Sequence, residues 1–214
     1  MITIILTCTV YVNHKKICLV QTNPIERIQT YLKSILQWLN NTNFNIIVVE
    51  NSGYTFPELT NKKIKHINRF EVITLNENDE PSHLRNSDSK GASEIFSIHY
   101  AFLNSTIIKN SNFIIKVTGR FFIPDLENYL NQYNLDNYDC LTQNNRDRCE
   151  MVGCHYNMFS SIFNIYLFDI KGYNGHIEDL WKLRTTNCTN VLVCNTFTIE
   201  PTPRGGAYEV YTTI

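Results

Sequence analysis

The sequence lacks most of the features that would place it quickly. It has no Cys-x-x-Cys pair, no tract of glycine or proline, no excess of either charge and no long apolar run. Seven cysteines (Cys8, Cys18, Cys140, Cys149, Cys154, Cys188, Cys194) make an odd number without paired spacing, which argues against a disulfide framework and a zinc ribbon. Cys149, Cys154 and His155 stand close together, but their spacing fits no standard zinc module, and reduced core thiols are the simpler reading. With only 8 Gly and 6 Pro, the chain is neither collagen-like nor low-complexity. A net charge of −1 leaves no electrostatic footprint for nucleic acid. No stretch reaches the roughly 20 apolar residues of a membrane span. The opening "MITIILTCTVYV" has no basic segment before it and no cleavage site, so it reads as a first β-strand and not as a signal peptide. The expectation is a soluble, cytoplasmic protein with no transmembrane segment.

What is present is a succession of α/β units. Ile2–Leu6 is a continuous apolar run, as a strand covered on both faces requires. In "NPIERIQTYLKSILQWLNN", Asn23 can cap a helix, Pro24 suits its first position and Glu26 its first turn. Ile25, Ile28, Leu32, Ile35, Leu36 and Leu39 supply the apolar stripe. A second buried strand, Asn45–Val49, ends in Glu50-Asn51-Ser52-Gly53, completing a βαβ unit with a right-handed crossover. "KKIKHI" and "EVITL" read as two shorter strands. "SDSKGASEIFSIHYAFLNS" reads as a capped amphipathic helix, and "FIIKVTGRFFI" as a strand. "DLENYLNQY" and "GHIEDLWKL" look helical, while "YDCLTQ" and "NVLVCNTFTIE" look like strands. The fold class is α/β: one three-layer αβα domain with a mostly parallel central sheet.

Ligands of open parallel sheets bind beyond the carboxyl ends of the strands. Those ends carry Thr7-Cys8-Thr9, Glu50-Asn51-Ser52 and Lys116 through Arg120, and the helix start at Lys90-Gly91 adds backbone N–H groups suited to anionic oxygen. Cations at the end of a buried strand need anionic company, because burying unpaired charge is costly. A rim with one carboxylate, several cations and hydroxyls and two glycines suits a nucleotide diphosphate.

The order of these segments resembles a GT-A-fold nucleotide-sugar glycosyltransferase. The residues that carry it are a Thr-containing first strand, an Arg-bearing helix, "VVENSG" after the second strand, "KGASE" opening a helix, and "IIKVTGRFF". Small glycosyltransferases of large algal DNA viruses are the nearest likeness. The resemblance covers about residues 1–125 as a donor half, with about 126–214 as an acceptor half. It implies that Thr7, Thr9 and Arg27 line the nucleotide pocket, with Glu50, Asn51 and Ser52 at the uridine or ribose end. Lys90, Gly91 and Glu94 would flank the diphosphate or donor sugar. Lys116, Thr118, Gly119 and Arg120 would stand where the family places metal-binding aspartates.

Here the chain departs from that pattern, for it contains no Asp-x-Asp; Asp79, Glu80, Asp88 and Asp125 are the nearest acids. Mg²⁺ and Mn²⁺ prefer carboxylate oxygens, whereas a guanidinium at Arg120 would neutralise a leaving diphosphate directly. The metal is therefore left open, with metal-independence favoured. Glu178-Asp179, after a glycine-containing turn, resembles the acidic pair of inverting enzymes. Asp179 is the favoured base, followed by Glu178. Arg204 before Gly205-Gly206 reads as a loop able to close over the diphosphate. Trp38 reads as core, and Trp181, Tyr173 and Tyr156 as candidates for stacking on an acceptor sugar. The donor would be a nucleotide-sugar, a UDP-sugar for choice, and the acceptor a glycan or glycoprotein. Two rival readings are a non-catalytic domain of the same fold and a sugar-phosphate nucleotidyltransferase. Against the second, "TCTVYVNHKK" lacks the glycines such enzymes carry after their first strand.

Overall fold

The computed structural model describes residues 1–17, 19–143, 147–165 and 176–214. Strands are β1 (Ile2–Cys8), β2 (Asn45–Glu50), β3 (Phe70–Thr74), β4 (Phe113–Thr118), β5 (Cys140–Gln143), β6 (Arg148–His155), β7 (Val191–Val193), β8 (Thr198–Pro203) and β9 (Val210–Thr213). Helices are α1 (Pro24–Asn41), α2 (Thr60–Lys65), α3 (Ser82–Arg85), α4 (Lys90–Asn104), α5 (Leu126–Leu130), α6 (Phe159–Ile162) and α7 (Ile177–Thr185). Tyr173 lies outside the described residues.

Seven strands form one sheet in the order β3-β2-β1-β4-β6-β5-β7, and β8 and β9 make a separate hairpin. Within the large sheet only β6 runs against its neighbours. The chain winds outward from β1 to β3, then α4 carries it back across the sheet so that β4 lies on the other side of β1. That reversal places a topological switch point between the carboxyl ends of β1 and β4, where Thr7 pairs with Thr118.

Two apolar layers sandwich the sheet. On one face Tyr31, Ile35, Trp38 and Leu39 of α1, with α5 and the β8–β9 hairpin, pack on Ile4, Leu6, Val48 and Ile115. On the other, Ile95, Phe96 and Ile98 of α4, with α6 and α7, pack on Ile5, Ile47, Ile114 and Val152. The three-layer αβα expectation holds. Near-continuous burial of β1, β2 and β4 is what a doubly covered sheet demands.

Several local expectations need correction. "KKIKHI" is not a strand: residues 60–65 form α2, and Ile64 is 71% exposed, so its alternating apolar residues line no core. Ile25 does not belong to the buried stripe of α1 and is 66% exposed; Arg27, Tyr31 and Ser34 are buried on that helix instead. "NVLVCNTFTIE" divides into β7 and β8. The strand β6, over "RCEMVGCH", was not anticipated from the pattern of apolar residues. Asn23 caps α1 as expected, its side chain accepting from the Ile25 amide at 2.9 Å, and Trp38 is fully buried.

Candidate active site

A cleft of about 480 Å³ opens at the switch point, a size that suits a small-molecule ligand. Its floor is the close approach of two strand ends. The Gly119 amide donates to the Thr7 carbonyl at 2.9 Å. A Cβ at Gly119 would stand 2.5 Å from Cys8 Sγ and 2.7 Å from the Thr7 carbonyl oxygen, so only glycine fits. Immediately beyond, the Phe121 carbonyl accepts from Ser34 Oγ and Trp38 Nε1 of α1, each at 2.9 Å. Arg120 is thus held on a backbone fixed from both sides.

Its guanidinium lines the cleft, with Nη1 donating to Gln21 Oε1 at 2.8 Å and Cζ lying 5.9 Å from the centre of the Tyr31 ring. Lys90, at the start of α4, and Arg204, in the turn of the β8–β9 hairpin, line the same cleft. Arg204 stacks over Tyr211 and reaches Glu209 at 3.5 Å. Three cations therefore share one opening.

Arg27 also reaches this wall but is engaged. Nε donates to the Thr9 carbonyl at 2.5 Å, Nη1 to the Gln21 carbonyl at 2.8 Å and Nη2 to Tyr31 Oη at 2.8 Å. It clamps the loop after β1 to α1, and it is buried. Thr9 Oγ1 donates to Asn51 Oδ1 at 2.6 Å, and both line the cleft, as do Thr7, Thr118 and Gly91. The Gly91 amide is not open to an anion, because the cap residue Ser89 takes it through Oγ at 3.1 Å.

Five expected residues lie off the cleft lining. Gly119 lies beneath it, as just described. Glu50 is fully buried, and its carboxylate accepts from the amides of Val10 (2.8 Å), Ser52 (2.9 Å) and Tyr54 (2.8 Å) and from Ser52 Oγ. It is a backbone organiser that ties the loops after β1 and β2 together, and it has no room for a ribose. Ser52 is occupied in the same knot, accepting from the Tyr11 amide at 2.9 Å. Lys116 is 1% exposed and points to the α4 side of the sheet, where its ammonium meets Glu94 at 2.7 Å and the Cys149 carbonyl. Its anionic company is therefore a carboxylate of its own chain. Glu94, which also accepts from Thr7 Oγ1 at 2.8 Å, lines the cleft. Asp179 is exposed and off the lining, whereas its neighbour Glu178 is on it. The turn of α7 decides this: adjacent helical residues point about 100° apart, and Ile177 and Leu180 are the ones buried.

Glu150 on β6 was missed by sequence reasoning. It lines the cleft, and its Oε2 is shielded from solvent with no hydrogen-bond partner. The only signal was an acid in a stretch that did not read as a strand.

The donor set of the described residues does not fit Mg²⁺ or Mn²⁺. Among the described residues no three His, Cys, Asp or Glu side chains are placed to hold a metal. Asp79 accepts from the Asn76 amide instead, and neither Asp79 nor Asp88 lines the cleft. The end of β4 presents Thr118 and Arg120 to the cleft, neither of them a carboxylate.

The layered sheet, its reversal point and the cleft above it define a GT-A-like α/β fold. No family model matches the chain, and no curated protein matches it by sequence. Among solved structures, TarS from S. aureus superposes with a TM-score of 0.52 at 10% identity, over 90% of this chain and 57% of that one. This likeness is one of fold. A protein from Desulfovibrio desulfuricans G20 described as a nucleotide-diphospho-sugar transferase gives 0.49 at 14% identity, over 90% and 79%. The galactosyltransferase LgtC, in complex with donor and acceptor sugar analogs, gives 0.48 at 10%, over 90% and 73%. Among the described residues no helix is long and apolar enough to cross a membrane.

Proposed function

We propose that this protein is a glycosyltransferase that moves a hexose or deoxyhexose from a nucleotide-sugar, a UDP-sugar for choice, to a glycan or glycoprotein acceptor. The observation that carries the reading is that Arg120, Lys90 and Arg204 share one cleft with the carboxylates Glu178 and Glu150. The cations match a diphosphate, and a carboxylate matches a hydroxyl that must lose a proton. Thr9 and Asn51, which line the same cleft, would meet the nucleoside.

In the reaction the acceptor oxygen attacks the anomeric carbon from the face opposite the leaving group. Glu178 takes the acceptor proton. The bond from the anomeric carbon to the phosphate oxygen breaks, and its electron pair departs with the diphosphate. The Arg120 guanidinium, fixed in place before the substrate arrives, meets the developing charge. Configuration at the anomeric carbon is inverted. The cationic lining favours metal-independent transfer.

Thermal-shift measurements with UDP, GDP, CMP and dTDP, each in EDTA and in Mn²⁺, test this reading, since a ligand that binds only the folded state raises the melting temperature by mass action. UDP is expected to stabilise the protein equally in EDTA and in Mn²⁺, and Arg120→Ala to weaken UDP binding about tenfold or more. No shift with any nucleotide would support a non-catalytic domain. Stabilisation by a nucleoside triphosphate with release of pyrophosphate would support a nucleotidyltransferase.

A further inference from the structure

We infer that Glu150 binds the acceptor, and that the acceptor is itself a sugar presenting two neighbouring hydroxyls, not the single hydroxyl of a protein side chain. The inference rests on the glycosyl-transfer reading of the cleft and names the substrate class of its second half.

Three carboxylates reach this wall: Glu94, Glu150 and Glu178. Their convergence is registered by Cys149 at the start of β6, whose thiol is pushed well up by burial; Lys116 pulls it down, while Glu178, Glu94 and Glu150 push it further up. Glu94 is already engaged, its Oε1 meeting both the Lys116 ammonium and the Thr7 hydroxyl. The other two differ. Neither Glu150 nor Glu178 makes a hydrogen bond or ion pair among the described residues, and one oxygen of Glu150 is shut off from water as well.

A carboxylate oxygen cut off from solvent with no donor is an unstable arrangement, and such atoms in folded proteins need an explanation. An ionised carboxylate can only accept, so what completes it must donate. A sugar ring brings several hydroxyls at fixed spacing, and two of them can serve Glu150 and Glu178 together. A serine or threonine hydroxyl serves one and leaves the other orphaned. A site built to pair with a hydroxyl rejects analogues that lack it far more strongly than an apolar pocket rejects a wrong size. Glu178 then faces the attacking hydroxyl, and Glu150 holds the neighbouring one.

The test measures UDP release from the UDP-hexose that stabilises the protein most. It uses methyl glycosides of glucose, galactose, mannose and rhamnose as sugar acceptors, and a serine/threonine peptide as the alternative. At least one glycoside should accelerate release beyond hydrolysis of the donor by water. Glu150→Gln should raise KM for that glycoside about tenfold or more, with kcat, donor KM and the UDP thermal shift all within about twofold. That retained shift also shows that the variant folds. Glu178→Gln should instead lower kcat. An unchanged glycoside KM in Glu150→Gln overturns the inference, as does acceleration by the peptide alone or by no acceptor. If the wild-type protein neither binds a nucleotide nor releases UDP, the glycosyl-transfer reading itself fails and takes the inference with it.

Discussion

Lys116 shows how far a residue can be read alone. A cation inside the run "FIIKVTGRFF" demands an anion, and the structure supplies one at 2.7 Å in Glu94, 22 positions upstream on α4. The demand was legible in the sequence, but the partner was not. Pairing depends on β4 placing Lys116 on the face that α4 covers, which no local pattern encodes. Removing one member of a buried pair is worse than removing both, because the survivor is left charged and unpaired. Lys116→Met should therefore cost about 3 kcal/mol, and Lys116→Met with Glu94→Gln should cost clearly less. Urea denaturation of the wild type, both single variants and the double variant closes the cycle. Simple additivity of the two single effects would mean that the pair contributes nothing. Glu50 tells the same story in reverse. Its place at a strand end suggested a ligand, yet the four donors gathered on its carboxylate come from Val10, Ser52 and Tyr54, and only tertiary structure brings the Val10 amide to it.

Elements were easier to read than residues wherever the period was strong and the caps were present. α1 and α4 begin at Asn23 and Ser89, whose side chains bond the Ile25 and Gly91 amides. β1, β2 and β4 declared themselves as unbroken apolar runs. β6 did not, because its neighbours are acids, an arginine, cysteines and a glycine, and its burial comes from antiparallel pairing with β4. Of the β8–β9 hairpin, the start of β8 was legible as strand and the rest only as a glycine-containing loop. In the structure the Gly205 carbonyl accepts from Val20 at 3.1 Å, and its Cα packs against Arg120 so closely that a Cβ would fall on the guanidinium. The hairpin thus sets where that cation can lie. Gly205→Ala should displace the guanidinium, since a side chain yields more readily than the backbone. UDP binding should weaken about tenfold, on the scale of one charge-assisted hydrogen bond, while the melting temperature without ligand changes little. Titration calorimetry checks this, and unaltered affinity would free Arg120 from any dependence on the hairpin.

At the scale of the whole molecule, two histidines make the stability of the layered assembly sensitive to acid. His99 on α4 is held below its ordinary value of 6.5, first by burial and then by Arg184 of α7. His66, after α2, is lowered by burial and by Arg69, Lys65 and Lys62. Both are neutral in the folded chain at pH values where the unfolded chain has begun to protonate them. Above about pH 6.5 neither state binds the proton and stability does not respond. As the pH falls below that value the unfolded state binds more protons, so stability declines until the depressed folded values are passed. The slope is at most about 1.4 kcal/mol per pH unit for each histidine. Asp139 acts lower on the scale. The Asn190 and Thr189 amides and the Thr189 hydroxyl hold its carboxyl below 3.8, so its contribution is complete above that value and is lost only beneath it. Just below pH 6.5 the two histidines should therefore begin the loss. His99→Leu removes one of the two protons and also the buried Nδ1 that finds no partner. Chemical denaturation at half-unit steps from pH 7.5 to 5 should give a wild-type curve falling below pH 6.5 and a variant curve falling less steeply. Equal slopes would show that His99 protonates as freely in the folded layer as in water, and that α4 and α7 do not close over it.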